Sequence, residues 1–376
     1  MQITFGNPAV GDMLRDIELP TTSGEEFKLA RYSGKSFVLL FCPFETESTC
    51  HAVYAAFRDG YAELQSKPIA VLAVTIGPVE RLKAFAEQDK IPFPVLCDAK
   101  LASSALYGAL RPPADPSQTD VNASSLQAAC RAFLVGPDSR IVRVFDAIEP
   151  SQIVGQVLNE YELRIAREAP RQIINHAPVL LIPNVLPPKL CQRLIQIWDE
   201  KGNEDSGFMK QVDGKTVGAY DYSHKIRRDH FMANEEELAY VKRFVGNRVG
   251  PIIRMAFNYE VTRYEDFRIA CYDSARGGYF RPHRDNTTDG TAHRRFAMSL
   301  LLNDDYGGGT LRFPEYGLHE YRPDAGSAVV FSCSLLHEAT DVTAGRRFVL
   351  LSFFYGEKEA KIREEYSKKV GSEYRA

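Results

Sequence analysis

Three residues in the second half of this sequence have the types and spacing to hold one redox-active metal ion. His283 and Asp285 stand two apart in the run Arg281-Pro282-His283-Arg284-Asp285-Asn286. On an extended strand such a pair shares one face, so an imidazole and a carboxylate can take neighbouring positions around an ion. His337, beyond the apolar stretch 328–332, is the candidate third ligand. Two imidazoles and a carboxylate on one face leave the opposite face of the metal open. That donor set suits iron(II) which must also take a chelating co-substrate and O₂. Read singly, the tripeptide is common by chance, and His337 is a hydrogen-bonded structural histidine. Arg347 changes the weighing, because a guanidinium in the following strand can grip the far carboxylate of a dicarboxylate through two parallel hydrogen bonds. Alone, Arg347 would read as a surface charge.

A second reactive group lies near the N-terminus. Cys50 closes the segment Pro43-Phe44-Glu45-Thr46-Glu47-Ser48-Thr49-Cys50 and opens a predicted helix. The positive end of the helix dipole favours a thiolate there. Arg131, at the head of a later strand, is the candidate cationic partner of that thiolate. Cys42, Cys97 and Cys130 sit in or beside apolar strands and read as core.

The elements that must position these groups fall into two sets. Residues 37–42 and 69–76 are continuous apolar runs of strand length, the pattern of strands buried on both faces of a parallel sheet. Helices are predicted at 50–66, 78–88, 100–109 and 151–167. Further strands are predicted at 93–96, 132–136 and 140–146, the last two flanking the turn Gly136-Pro137-Asp138-Ser139. The order β-α-β-α-β-β-α gives an α/β thioredoxin-like layout. Glu168-Ala169-Pro170 punctuates the chain, and the boundary is placed at 168–175, dividing it into domains 1–167 and 168–376. Helices at 187–201 and 234–256 flank a polar stretch, 202–230, that reads as a surface loop or a substrate lid. Short strands with glycine-rich turns follow at 267–272, 295–302, 309–313, 326–332 and 346–355, an all-β jelly roll or barrel. The charged tail 357–376 reads as a solvated helix or frayed end.

In this setting two resemblances emerge. Cys271-Tyr272, Gly278-Tyr279-Phe280-Arg281-Pro282-His283-Arg284-Asp285, Leu302-Asn303, Gly307-Gly308-Gly309-Thr310-Leu311-Arg312-Phe313-Pro314, Gly326-Ser327-Ala328-Val329-Val330-Phe331 and the closing His337, Val342, Gly345 and Arg347 resemble successive strands of prolyl-hydroxylase-like 2-oxoglutarate/iron(II) dioxygenases. The likeness runs over about 175–356 and implies a double-stranded β-helix with flanking helices. It implies iron(II) on His283, Asp285 and His337, the 2-oxoglutarate tail on Arg347, and a hydrogen bond from Tyr272 to the co-substrate. The implied reaction hydroxylates a peptidyl or small-molecule substrate while 2-oxoglutarate becomes succinate and CO₂, with ascorbate a candidate reductant. The strand at 299–302 lacks the tyrosine that some relatives use at the co-substrate tail, which leaves more of that contact to Arg347. Residues 8–165, through Pro43, Cys50, Phe93-Pro94-Val95-Leu96 and Arg131, resemble a peroxiredoxin. That match implies a peroxidatic Cys50 activated by Arg131; the competing reading is a degenerate thioredoxin-like domain kept for partner binding or for a homodimer through the N-terminal domain. The departure is Glu47, which stands where peroxiredoxins carry Thr or Ser; a carboxylate there is expected to raise the cysteine pKa.

Composition limits the remaining functions. At 376 residues the chain is long enough for two full cores. A formal charge of −3, from 46 basic and 49 acidic residues, offers no basic excess for nucleic acid. No apolar run is long enough to span a bilayer, and the N-terminus lacks a signal-peptide pattern. Seven scattered cysteines suit a reducing compartment, so a cytoplasmic location is expected. Two other readings compete with the hydroxylase: a thiol peroxidase with an accessory iron domain, and a non-catalytic binding module.

Overall fold

The structure, a computed structural model, describes residues 4–112, 126–167 and 172–370. The chain divides into two compact units, 1–171 and 172–376. The punctuating Glu168-Ala169-Pro170 and the end of the charged tail, 371–376, lie outside the described residues.

The N-terminal unit is built on a five-stranded sheet in the order Val95–Cys97, Ile69–Thr75, Ser36–Phe41, Arg131–Val135, Ile141–Asp146. The first three strands run parallel and the last two are antiparallel to their neighbours. The continuous apolar run at the centre explains itself in this sheet. Val38, Leu40 and Cys42 point into one core and Phe37, Leu39 and Phe41 into another, on opposite faces, as the two-residue period of a strand requires. Helices Ser48–Asp59 and Ile153–Arg164 cover the first face through Val53, Phe57, Val157 and Tyr161. This is the expected α/β thioredoxin-like domain. One predicted helix is corrected: 50–66 is two helices, Ser48–Asp59 and Tyr61–Ser66. Gly60 makes the break, and a Cβ there would stand 2.7 Å from Val154 Cγ2. The helix expected at 100–109 shrinks to Ala102–Leu106.

The C-terminal unit is antiparallel, with the many short paired strands of a jelly roll. Its large sheet runs Leu180–Ile182, Ala328–Ser332, Phe296–Leu301, Arg346–Tyr355, Arg268–Asp273, Arg228–Phe231, Glu204–Asp205, with Arg263–Tyr264 also pairing with Arg346–Tyr355. A smaller sheet runs Lys225–Ile226, Tyr279–His283, His337–Ala339, Leu311–Arg312, Glu320–Tyr321. Helices Pro188–Lys201 and Glu235–Arg248 pack on the large sheet, with Leu194, Ile197 and Val241 sharing one core with Ile269, Leu300, Val330 and Leu350. Asn234 caps the second helix by accepting from the Glu237 amide at 3.0 Å. The helix expected at 234–256 divides at Val249 into Glu235–Arg248 and Gly250–Phe257, because Pro251 has no N–H to continue the ladder. The polar stretch 202–230 is not a loop. It holds the hairpin Phe208–Val212/Lys215–Ala219 and three strands that join the sheets.

Gly326 ties the sheet to the first helix. Its backbone φ is +81°, it exchanges backbone hydrogen bonds with Leu186 and Leu301, and a Cβ would lie 2.4 Å from the Leu186 carbonyl oxygen. Gly326→Ala is therefore expected to cost at least the ~1–2 kcal/mol of a left-handed L-residue. Chemical denaturation would show this as a lower midpoint at unchanged slope; an unchanged midpoint would contradict the packing described.

Candidate active site

The two sheets of the C-terminal unit place the candidate ligands side by side. His283 ends the strand Tyr279–His283, His337 begins the strand His337–Ala339, and the two are register partners. Asp285 follows two residues after His283, its amide donating to the Cys333 carbonyl at 3.0 Å. Its carboxylate lies 3.6 Å from His283 Nε2 through Oδ1 and 3.4 Å from His337 Nε2 through Oδ2. The three ligating atoms all fall within 4.8 Å of one another. Each imidazole also has its tautomer set by a backbone carbonyl. His283 Nδ1–H donates to Arg281 O at 2.8 Å and His337 Nδ1–H to Leu335 O at 2.9 Å. Both Nε2 lone pairs are thereby left facing Asp285, the outer-shell device that orients histidine ligands. Burial, then the neighbouring His337, pushes His283 well below its ordinary pKa, against the hydrogen bond to Arg281 O. A neutral imidazole is the form that binds a metal. The donor set thus fits an octahedral iron(II) with open positions.

Beside this cluster is a cavity of about 340 Å³ lined by both sheets, room for a small dicarboxylate and part of a second molecule. Arg347 projects into it and is 2% exposed. Its Nη2 donates to Ser299 Oγ at 3.4 Å, its guanidinium lies 5.0 Å from the Tyr272 ring centre, and its buried Nε has no partner. Among the described residues no carboxylate pairs with it. A buried guanidinium without a counter-charge is costly, so the cavity fits an anionic ligand. Gly309 makes space for the arginine stem: its φ is +60°, and a Cβ would stand 2.9 Å from Arg347 Cδ. Ser299 occupies the strand where some relatives have tyrosine, and it is the polar side chain that meets Arg347. Tyr272 is the register partner of Arg347 and lines the same cavity, but its hydroxyl already accepts from Arg227 Nη1 at 3.3 Å.

The cavity is lined in part by the polar stretch 202–230, including Lys225 and Arg227. Lys225, Arg227 and Asp229 alternate along one extended segment and are all buried. Arg227 forms a two-pronged pair with Asp229 at 2.7 and 2.6 Å. Lys225 donates to Ser206 Oγ and the Gly207 carbonyl, and burial drives its pKa well down. A charge at every second residue was the available signal, visible only if the segment is taken as a strand. Nearby, Glu265 is 1% exposed and gathers His293 Nε2 at 2.9 Å and Arg294 at 2.6 and 2.7 Å. Arg294 reaches the cavity wall while His293 is wholly buried. Arg276 and Arg281 pair with Asp205 and Asp341 near the surface.

In the N-terminal unit Cys50 lies in the first turn of its helix, as expected, and is buried. Its expected partner is corrected. Arg131 donates to Asp146 Oδ1 at 2.6 Å and to the Tyr107 carbonyl at 2.7 Å. The strand's alternation turns it away from the face that the preceding residue, Cys130, presents to Cys50. The Cys130 sulfur lies 3.2 Å from that of Cys50, and the Cys42 sulfur 3.7 Å from that of Cys130. Thiol hydrogen bonds from Cys130 and then Cys42 lower the Cys50 pKa, outweighing its burial. The Cys50 pKa is thus lowered although Glu47 was expected to raise it; the Glu47 charge contributes to raising that of Cys130.

Comparison with known proteins agrees with this division. Residues 10–144 match the family model for the AhpC/TSA family, and residues 267–355 match that for the 2OG-Fe(II) oxygenase superfamily. Peroxiredoxin Bcp of Escherichia coli K12 is 26% identical over 149 residues, 40% of this chain and 92% of that protein. Peroxiredoxin Bcp of Bacillus subtilis is 24% identical over 151 residues, with the same coverage of 40% and 92%. Among solved structures, peroxidoxin BcpB from Mycobacterium tuberculosis aligns with 42% of this chain and 99% of its own, at 21% identity and a TM-score of 0.37. A prolyl hydroxylase from Trichoplax adhaerens, solved with a hypoxia inducible factor peptide, aligns with 49% and 86%, at 18% identity and a TM-score of 0.40. No helix among the described residues is long and apolar enough to cross a membrane.

Proposed function

We propose that this protein is a 2-oxoglutarate- and O₂-dependent hydroxylase of a peptidyl or small-molecule substrate, with a thiol-peroxidase function in its N-terminal domain. The observation that carries the hydroxylase reading is the pairing, in one cavity, of a His-Asp-His cluster with a buried arginine lacking a counter-ion. His283, Asp285 and His337 hold iron(II), which when bound supplies the O₂ chemistry that turns a C–H bond and 2-oxoglutarate into an alcohol, succinate and CO₂. The chain's own residues do the positioning. Arg347 binds the distal carboxylate of 2-oxoglutarate, and Ser299 and the Tyr272 ring hold that guanidinium in place. Arg227 and Asp229 fix the Tyr272 hydroxyl at the wall. The carbonyls of Arg281 and Leu335 hold the Nδ1 protons and keep both Nε2 atoms for the metal. The same site makes a purely non-catalytic module the weaker reading, since a ligand-holding pocket has no need of oriented imidazoles.

Arg347→Ala is expected to raise the KM for 2-oxoglutarate at least about 30-fold, taking ~2 kcal/mol as the lower bound for a buried charge-assisted contact. Succinate release measured against co-substrate concentration tests this. A KM within a few-fold of wild type would place the dicarboxylate elsewhere.

A further inference from the structure

We infer that Cys130 is the thiol that closes a disulfide with Cys50, making the buried Cys50–Cys130 pair a dithiol redox site whose oxidant is a small hydroperoxide. The inference rests on the thiol-peroxidase reading of Cys50 and names the second sulfur it needs.

Three elements converge on this point. Cys42 directly follows the strand Ser36–Phe41, Cys130 directly precedes Arg131–Val135, and those strands pair with Phe41 opposite Arg131. The pairing therefore brings Cys42 and Cys130 together at the carboxyl end of the central strand. Cys50 reaches the same spot from the start of the helix Ser48–Asp59. The three sulfurs lie within 4.8 Å of one another. Cys50 and Cys130 are 3.2 Å apart, so a contraction of about 1.2 Å reaches the ~2.05 Å of a disulfide bond. A resolving thiol on a distant loop would first have to unfold the helix start; this pair needs no such step.

The thiols differ in the sense the chemistry requires. Contacts with the Cys130 and Cys42 sulfurs favour the thiolate form of Cys50, whereas Cys130, despite the lowering contact with Cys42, is raised by its contact with Cys50 and by burial. The Cys50 thiolate attacks the nearer peroxide oxygen, the O–O bond breaks, and the leaving alkoxide takes a proton from solvent to leave as alcohol. Cys50 is then a sulfenic acid. The Cys130 sulfur attacks the Cys50 sulfur, hydroxide leaves and takes the Cys130 proton as water, and the S–S bond forms. One hydroperoxide is reduced by two electrons and the two thiols are oxidised by two. An external dithiol returns the pair to the reduced state by exchange.

The test uses the full chain, reduced, freed of metal by a chelator and exposed to one equivalent of hydrogen peroxide. Free thiols are then blocked under denaturing conditions and the protein is mapped by mass spectrometry. The expected result is a Cys50–Cys130 cross-linked peptide in wild type, reversed by dithiothreitol and retained in Cys42→Ser. Cys130→Ser is expected to stop at a Cys50 sulfenic acid that dimedone traps. A wild-type Cys50 that reacts but ends as a stable sulfenic acid, or bridges to Cys42 or Cys97, overturns the Cys130 assignment while keeping Cys50 as the reactive thiol. A Cys50 that peroxide does not touch, or three cysteines that hold stoichiometric zinc on isolation, overturns both this inference and the thiol-peroxidase reading.

Discussion

His283→Ala is expected to abolish stoichiometric iron(II) binding and to drop 2-oxoglutarate turnover to background, with little loss of folded stability. The two halves of this expectation come from the same geometry. In the proposed site His283 is one of three ligands, and its loss would leave Asp285 and His337 alone to hold the ion. Two donors on a flat face cannot match the affinity of the facial triad. In the metal-free protein, however, His283 sits at a strand end and 15% of its side chain is exposed. Its substitution removes one hydrogen bond to Arg281 O and stacking on the Phe280 ring, at a cost of about 1–2 kcal/mol. Iron content by equilibrium dialysis and thermal melting of the chelated protein separate the two effects. A variant that still binds one iron per chain would remove His283 from the ligand set. A variant that fails to fold would show that the cluster is structural.

Glu265→Gln is expected to have the largest effect on stability. Glu265 is enclosed by His293, Arg294 and Arg268, the last at 3.8 Å. Burial by itself would raise its pKa, but Arg294, the His293 hydrogen bond and Arg268 together hold it well below the ordinary carboxylate range. Replacing the carboxylate by an amide leaves buried cations facing one another without a counter-charge, which costs ~3–5 kcal/mol. At roughly 2–4 °C per kcal/mol for a unit of this size, the melting transition of the C-terminal unit should fall by on the order of 10 °C. The pH dependence has a fixed sign. A carboxylate with a depressed folded pKa contributes its full stabilisation above the unfolded value of about 4.3, and loses it as pH falls toward the folded pKa. The gap between wild type and Glu265→Gln should therefore be at its full width near neutrality and narrow progressively as pH falls below about 4.3. A gap that is constant across that range would mean the ion cluster is not what Glu265 contributes.

The His-Asp-His cluster was legible in the sequence because its residues are local or follow a strand. The HxD pair shares a face by period alone, and Arg347 lies in an unmistakable apolar strand. The α/β layout and the strand-rich C-terminal half were legible for the same reason: Val38, Leu40, Phe37 and Leu39 declare a doubly buried strand without any partner being known. What period could not supply was pairing. Arg131 and Cys130 are adjacent, and only the register against Phe41 decides which of them meets Cys50. Lys225, Arg227 and Asp229 were hidden because polarity normally marks a loop, whereas here Arg227 pairs with Asp229 and Lys225 donates to Ser206 in buried, extended chain. Glu265 and the His293-Arg294 pair come from segments with no periodic signal, and only tertiary contact joins them.

His283, Asp285, His337 and Arg347 are proposed to form one iron(II)/2-oxoglutarate site. Anaerobic titration of the metal-free protein with iron(II) and then 2-oxoglutarate tests it most directly. A weak visible charge-transfer band should grow to one equivalent in wild type, be absent in His283→Ala, and need far more co-substrate in Arg347→Ala. A folded, iron-loaded wild-type protein that shows no band at saturating 2-oxoglutarate would contradict the account.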